Sequence, residues 1–211
     1  MTSPDAISDL ELSALISSKI CHDVIGPVGA IFNGLEVLEE DDDPGSREYA
    51  LTVIKDFTTQ ASSKLQFARF AFGAAGTAGS TIDLRNAEEI SRAYVENGKH
   101  KLDWQVAPGP MDKDKVKLLL NMIAAAVTAL PRGGTMQVAM TDAGSAPSFI
   151  IRCSGQAARA PQHLTEFVEE QALALDALTI QPYYTCRLAK AAGMTLGISM
   201  EGDDVILAAR T

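Results

Sequence analysis

A histidine followed directly by an acid, His22-Asp23, stands five residues ahead of Pro27 in an otherwise apolar stretch. Imidazole is a nucleophile and proton carrier at neutral pH, and a neighbouring carboxylate can orient the ring or assist proton transfer. Cys21, on the other side of His22, invites a redox or metal reading, but one Cys-His step supplies too few ligands for zinc. The 3 cysteines, Cys21, Cys153 and Cys186, form no CxxC pair and leave an odd count, which fits reduced thiols rather than a disulfide framework.

The reactive pair needs a rigid element to present it. Leu10, Ser13, Ser17, Ile20, Val24, Val28, Ile31, Leu35 and Leu38 recur at three- and four-residue spacing and predict a long helix with one stripe toward a core. His22 falls about 200° from Val24, so its ring is expected to face solvent. Pro27 has no N–H for the carbonyl of Asp23, and a bend is expected below the histidine. A turn at Asp41 to Gly45 leads to a second stripe, Ala50, Ile54, Phe57, Ala61, Leu65, Ala68 and Phe72. Two helices alone cannot wrap a core. Pairing with a second copy into a four-helix bundle would bury both stripes, and packing against the rest of the chain is the alternative.

Equal rise along antiparallel helices puts Lys64 to Phe67 at the level of His22, making Lys64 a candidate phosphate-stabilising cation. Gly26, Gly29, Asn33 and Glu36 continue the histidine's face and read as a docking surface for a partner.

The glycine-rich run Ala71 to Ser80 reads as a linker. Domains are expected at residues 1–75 and 76–211. The second reads as mixed: helices near Leu84 to Glu96, Asp112 to Leu130, Gln162 to Ala172 and Tyr183 to Ala191. Strands are expected near Leu102 to Val106, Thr135 to Thr141, Ser148 to Cys153, Met194 to Met200 and Val205 to Ala208. This is an α+β chain whose second part is an α/β sandwich with helices on one face of a mixed sheet. His100 and His163 are taken as surface residues without function. A net charge of −9 argues against nucleic acid as a ligand, 46% hydrophobic content supports real cores, and no run is long enough to span a bilayer. The acidic N-terminus lacks the basic residues of a secretion signal, and a cytoplasmic protein is expected.

His22-Asp23-Val24-Ile25-Gly26-Pro27 resembles the H-box of the histidine-kinase superfamily, whose histidine carries a phosphoryl group. Leu118 to Val127 around Asn121, followed by Pro131, Gly133 and Gly134, resembles the N-box of the kinases' ATP-binding domain. Ala125 stands where that motif has its second asparagine, a magnesium ligand. Cys153-Ser154-Gly155-Gln156-Ala157 stands in place of the adenine-reading Asp-x-Gly-x-Gly, and Thr185 to Ala189 holds no glycine where a phosphate cradle is expected.

An intact H-box on a dimerising hairpin, joined to a degenerate Bergerat-type domain, resembles the histidine phosphotransferase ChpT family across the whole chain. The resemblance implies a homodimer in which His22 accepts a phosphoryl group from the receiver of a CckA-like hybrid histidine kinase. It then passes the group to the aspartate of CtrA-like and CpdR-like response regulators, with Asp23 beside it and Gly26, Gly29, Asn33, Glu36, Lys64 and Phe67 meeting the partner. It implies no intrinsic cofactor and no ATP, magnesium coming with the receiver. An active kinase would need Asn at 125 and Asp at 153; a scaffold that binds receivers without transfer is the other alternative.

Overall fold

The computed structural model describes residues 7–73, 81–96, 98–141, 147–171 and 173–211. The first helix, α1 (Asp9–Glu40), begins where Ser8 Oγ accepts a hydrogen bond from the Glu11 amide, with Asp9 and Glu11 placed favourably at its positive end. It runs through Pro27 as one element. Asp43 caps the second helix, α2 (Pro44–Ala71), and Pro44 occupies its first turn, where no amide partner is needed. Arg47 fastens the turn by donating to the carbonyls of Leu38 and Asp41. The helices approach closely at Gly34, where a Cβ would lie 2.8 Å from Ile54 Cγ1.

The second part contains a two-stranded antiparallel pair, β1 (Thr81–Asp83) with β3 (Pro110–Asp112), and a five-stranded sheet in the order β2-β4-β5-β7-β6. Its strands are β2 (His100–Gln105), β4 (Gly134–Thr141), β5 (Ser148–Ser154), β6 (Thr195–Glu201) and β7 (Asp204–Arg210). Among the described strands only β2 and β4 run parallel. Alternate residues of β4 and β5, Met136, Val138, Phe149, Ile151 and Cys153, are fully buried and share one core with Leu118, Leu119, Leu120, Met122 and Ile123 of α4 (Lys113–Ala129). The remaining helices are α3 (Leu84–Val95), α5 (Gln162–Val168) and α6 (Ile180–Ala191).

Several expectations change, among them the helix expected to reach Ala172, which ends at Val168. The strands β1 and β3 are too short for a period to register, and they form because each supplies the other's partner. Helix α6 begins before Tyr183 because Pro182 sits in its first turn, where proline is tolerated. His100 is buried rather than superficial, with Nε2 3.0 Å from the Leu130 carbonyl, so it bridges β2 to the end of α4.

The two parts are packed together. Phe67 and Ala71 of α2 belong to the core of the second part, while Ile7, Leu12, Leu15 and Ile16 pack on Phe167, Ile180 and Tyr183. Ala71, expected in the linker, is fully buried, and residues 74–80 of that stretch lie outside the described residues. Helix α1 is long and apolar enough to cross a membrane by length and composition alone, although it was expected to contain no such run. Here it packs against α2 and α6.

Much of the apolar surface of the hairpin remains open. Ile25, Val28, Phe32 and Leu35 on α1 and Leu51 and Leu65 on α2 are all at least 47% exposed. Counting about 100° per residue, Val28 and Leu35 lie to one side of the seam marked by Gly34, as Leu51 and Leu65 do beside Ala50 and Ala61. Because the helices run antiparallel, equal rotation past the seam brings both stripes to the same side of the hairpin.

Candidate functional site

His22 projects from α1 with 57% of its side chain exposed, and its Nδ1 lies 3.4 Å from Asp23 Oδ1. That contact is long for a hydrogen bond, so the carboxylate can bias the ring's rotation and tautomer without holding it tightly. With the proton on Nδ1 facing Asp23, Nε2 keeps its lone pair toward solvent.

Asp23 is itself held from two sides. Lys19 Nζ, one helical turn earlier, grips both carboxylate oxygens at 2.5 and 2.6 Å, and the pair is only 18% and 31% exposed. Lys64 reaches across from α2 and donates to the Asp23 carbonyl at 3.0 Å. The antiparallel level assigned from sequence therefore places Lys64 beside Asp23, with its ammonium on the backbone. Lys19 was missed by sequence reading, although its four-residue spacing from an acid is a recognisable helical pair.

Behind the two lysines, a cavity of about 300 Å³ separates the hairpin from the second part, bounded among others by Lys19, Asp23, Lys64, Tyr94, Ala125 and Gln181. Tyr94 stacks on Phe67 with ring centroids 3.9 Å apart. Burial, and secondarily the charge of Asp23, pushes its phenol far above the ordinary tyrosine range. Phe67, expected on the docking face, is instead 3% exposed and committed to this stack. Gly26, Gly29, Asn33 and Glu36 are exposed, and a Cβ added at Gly26 or Gly29 would meet nothing within 4 Å. The glycine that a close approach demands is Gly34, at the hairpin seam.

Asn121 is fully buried and spent on structure. Its Nδ2 donates to the carbonyls of Ala71 at 3.0 Å and Lys117 at 2.9 Å. Gln181 Nε2 donates to the Asn121 carbonyl and lies 3.3 Å from its Oδ1, and also reaches Thr185 Oγ1. An amide with these partners ties the end of α2 to α4 and α6, and little of it is left for a ligand. Ala125 contributes only a methyl group to the cavity wall. Cys153 is fully buried, with burial pushing its thiol up to about 12, and burial likewise takes Cys186 up to about 11. Gly155 packs where a Cβ would fall 2.4 Å from the Gly133 carbonyl oxygen. Thr185 to Ala189, which hold no glycine where the kinases' phosphate cradle would stand, lie inside α6. Among the described residues no three His, Cys, Asp or Glu side chains gather as a metal site.

The Asn121 network makes a prediction of its own. Asn121→Ala strands the Ala71 carbonyl and opens a void, and is expected to cost about 2–4 kcal/mol. That corresponds to a fall in Tm on the order of 5–15 °C at this chain length. Thermal melting checks this, and an unchanged Tm would remove the network from the account of how the two parts hold together.

His22 is thus an exposed histidine beside a carboxylate, on a helical hairpin packed against an α/β domain. The model of the histidine phosphotransferase C-terminal domain matches residues 84–204, and the chain belongs to the histidine phosphotransferase family. It is 43% identical over 211 residues to the protein phosphotransferase ChpT of Brucella abortus (strain 2308), covering 99% of this chain and 100% of that one. A bacterial phosphotransferase solved at 1.7 Å superposes with a TM-score of 0.91 at 41% identity, again over 99% of this chain and 100% of the other.

Proposed function

We propose that this chain is a phosphorelay protein in which His22 takes a phosphoryl group from the aspartyl phosphate of one receiver domain and gives it to the aspartate of another. The observation that carries this reading is the open, oriented ring of His22 above the Lys19–Asp23 pair. Nε2 attacks phosphorus, the acyl phosphate P–O bond breaks, and its electron pair returns to the donor's carboxylate. The phosphorylated ring is left as an imidazolium with its Nδ1 proton toward Asp23, whose negative charge offsets the positive one. Transfer onward reverses these steps. Catalysis asks mainly for alignment and charge neutralisation, and in this reading the receiver brings the magnesium.

The donor would be a CckA-like hybrid kinase and the recipients CtrA-like and CpdR-like regulators, docked over Gly26, Gly29, Asn33 and Glu36. The working unit would be a homodimer in the cytoplasm. ATP has no part in this scheme. The engagement of Asn121 and the bare methyl of Ala125 support that, and they weigh against an active kinase.

The test is a transfer assay with a pre-phosphorylated receiver, magnesium and no ATP, following acid-labile label onto this protein and then onto a second receiver. Label arriving from ATP directly, and from no receiver, overturns the reading. Binding of receivers with no label transferred would leave a scaffold instead.

A further inference from the structure

Pro27 deletes the amide hydrogen that would normally bond the Asp23 carbonyl, and it does so one turn below the reactive histidine. The helix nevertheless continues, and Pro27 is buried. The orphaned carbonyl is met from the other helix, by Lys64 Nζ at 3.0 Å. A charged donor in a half-buried seam makes a stronger bond to a carbonyl than water or a neutral amide does.

We infer that Lys64 is a positioning residue for phosphotransfer: its ammonium replaces the hydrogen-bond donor that Pro27 lacks, and thereby fixes the height and rotation of the His22-Asp23 segment. This rests on the relay read for His22. It also distinguishes Lys64 from a cation that touches the phosphoryl group. The seam residues Pro27 and Gly34 lie about 120–140° around α1 from His22, so an ammonium held at the seam sits on a different side of the helix from the ring.

The second part of the protein shares in this arrangement. The hairpin wall containing Lys19, Asp23 and Lys64 closes one side of the cavity, and Tyr94, Ala125 and Gln181 face it from the other. With access to bulk water reduced there, the Lys64 bond to the Asp23 carbonyl has less competition.

The proline and the lysine should therefore be coupled, and a double-mutant cycle reads the coupling. The four proteins are the wild type, Lys64→Met, Pro27→Ala and the double variant, with Lys64→Arg as the conservative rescue. Single-turnover transfer from a phosphorylated receiver is measured across receiver concentration. Lys64→Met is expected to lower the maximal rate about tenfold and leave half-saturation unchanged, because alignment rather than docking is lost. Pro27→Ala restores an amide donor to the carbonyl, so the same lysine substitution in that background should cost less than about twofold. Lys64→Arg should recover most of the rate.

A second readout needs no activity. The Asp23 carbonyl carbon, observed through the Val24 amide by NMR, should move upfield on Lys64→Met in the wild-type background and stay in place in the Pro27→Ala background. Equal costs in both backgrounds, or a change in half-saturation alone, would overturn the inference in favour of direct phosphate contact or docking. A carbonyl resonance indifferent to Lys64 overturns the hydrogen bond itself. A wild type that accepts no label from any receiver removes the relay, and the positioning role with it, even where the carbonyl responds.

Discussion

His22→Ala is expected to abolish transfer, with label incorporation falling on the order of 10³-fold or more, the scale on which removal of a nucleophile acts. The fold should survive, because a side chain 57% exposed contributes little to packing. Circular dichroism and melting of the variant should match the wild type, and the variant should still bind receivers. Asp23→Asn separates orientation from the nucleophile. It keeps the shape but loses the charge facing Nδ1 and the partner of Lys19, and transfer about tenfold to a hundredfold slower is expected. Full transfer by His22→Ala would move the phosphoryl group elsewhere on the chain and end the proposal for His22.

In the second part, two residues that resemble nucleotide-site positions are engaged inside the protein. The asparagine that resembles a metal ligand bonds instead to the Ala71 carbonyl at the end of α2. Gly155, which resembles an adenine-site glycine, is required by the close approach of the Gly133 backbone.

The hairpin was legible because its determinants are local: periodic stripes, an aspartate-rich turn with proline, and antiparallel rise that set Lys64 to Phe67 level with His22. The exposure of His22 followed from the same period. What escaped depended on contacts between distant segments. Phe67 looked like a surface aromatic because nothing near it in sequence announces Tyr94, and His100 looked superficial because Leu130 supplies its partner from another element. The Ala71 end of α2 read as linker on composition, yet small residues also suit a helix end pressed into a core. Gly34 was overlooked in favour of Gly26 and Gly29, since a glycine's spacing does not say which neighbour crosses it. Lys19 shows the opposite failing, for its pairing with Asp23 was local and available.

The exposed stripes carry the other large expectation. Leu35 and Leu51 are 47% and 57% exposed, on the same side of the hairpin and at similar height. The second part packs against the hairpin through Phe67 and Ala71 and leaves these stripes open, so a second copy is the natural cover, giving four helices around one core. Covering the open half of each leucine is worth about 0.8–1.5 kcal/mol, and the symmetry of a dimer counts every substitution twice. Leu35→Asp with Leu51→Asp also places carboxylates where water would be excluded, so the Kd of the dimer should rise by at least about 10²-fold. Sedimentation equilibrium over a range of concentrations should find a folded monomer in the variant where the wild type is dimeric. Transfer should fall in parallel if each receiver rests on both copies, and should persist per chain if one hairpin suffices. A wild type that stays monomeric at high concentration would reassign the stripe from a second copy to the receiver, whose affinity the same two substitutions would then lower.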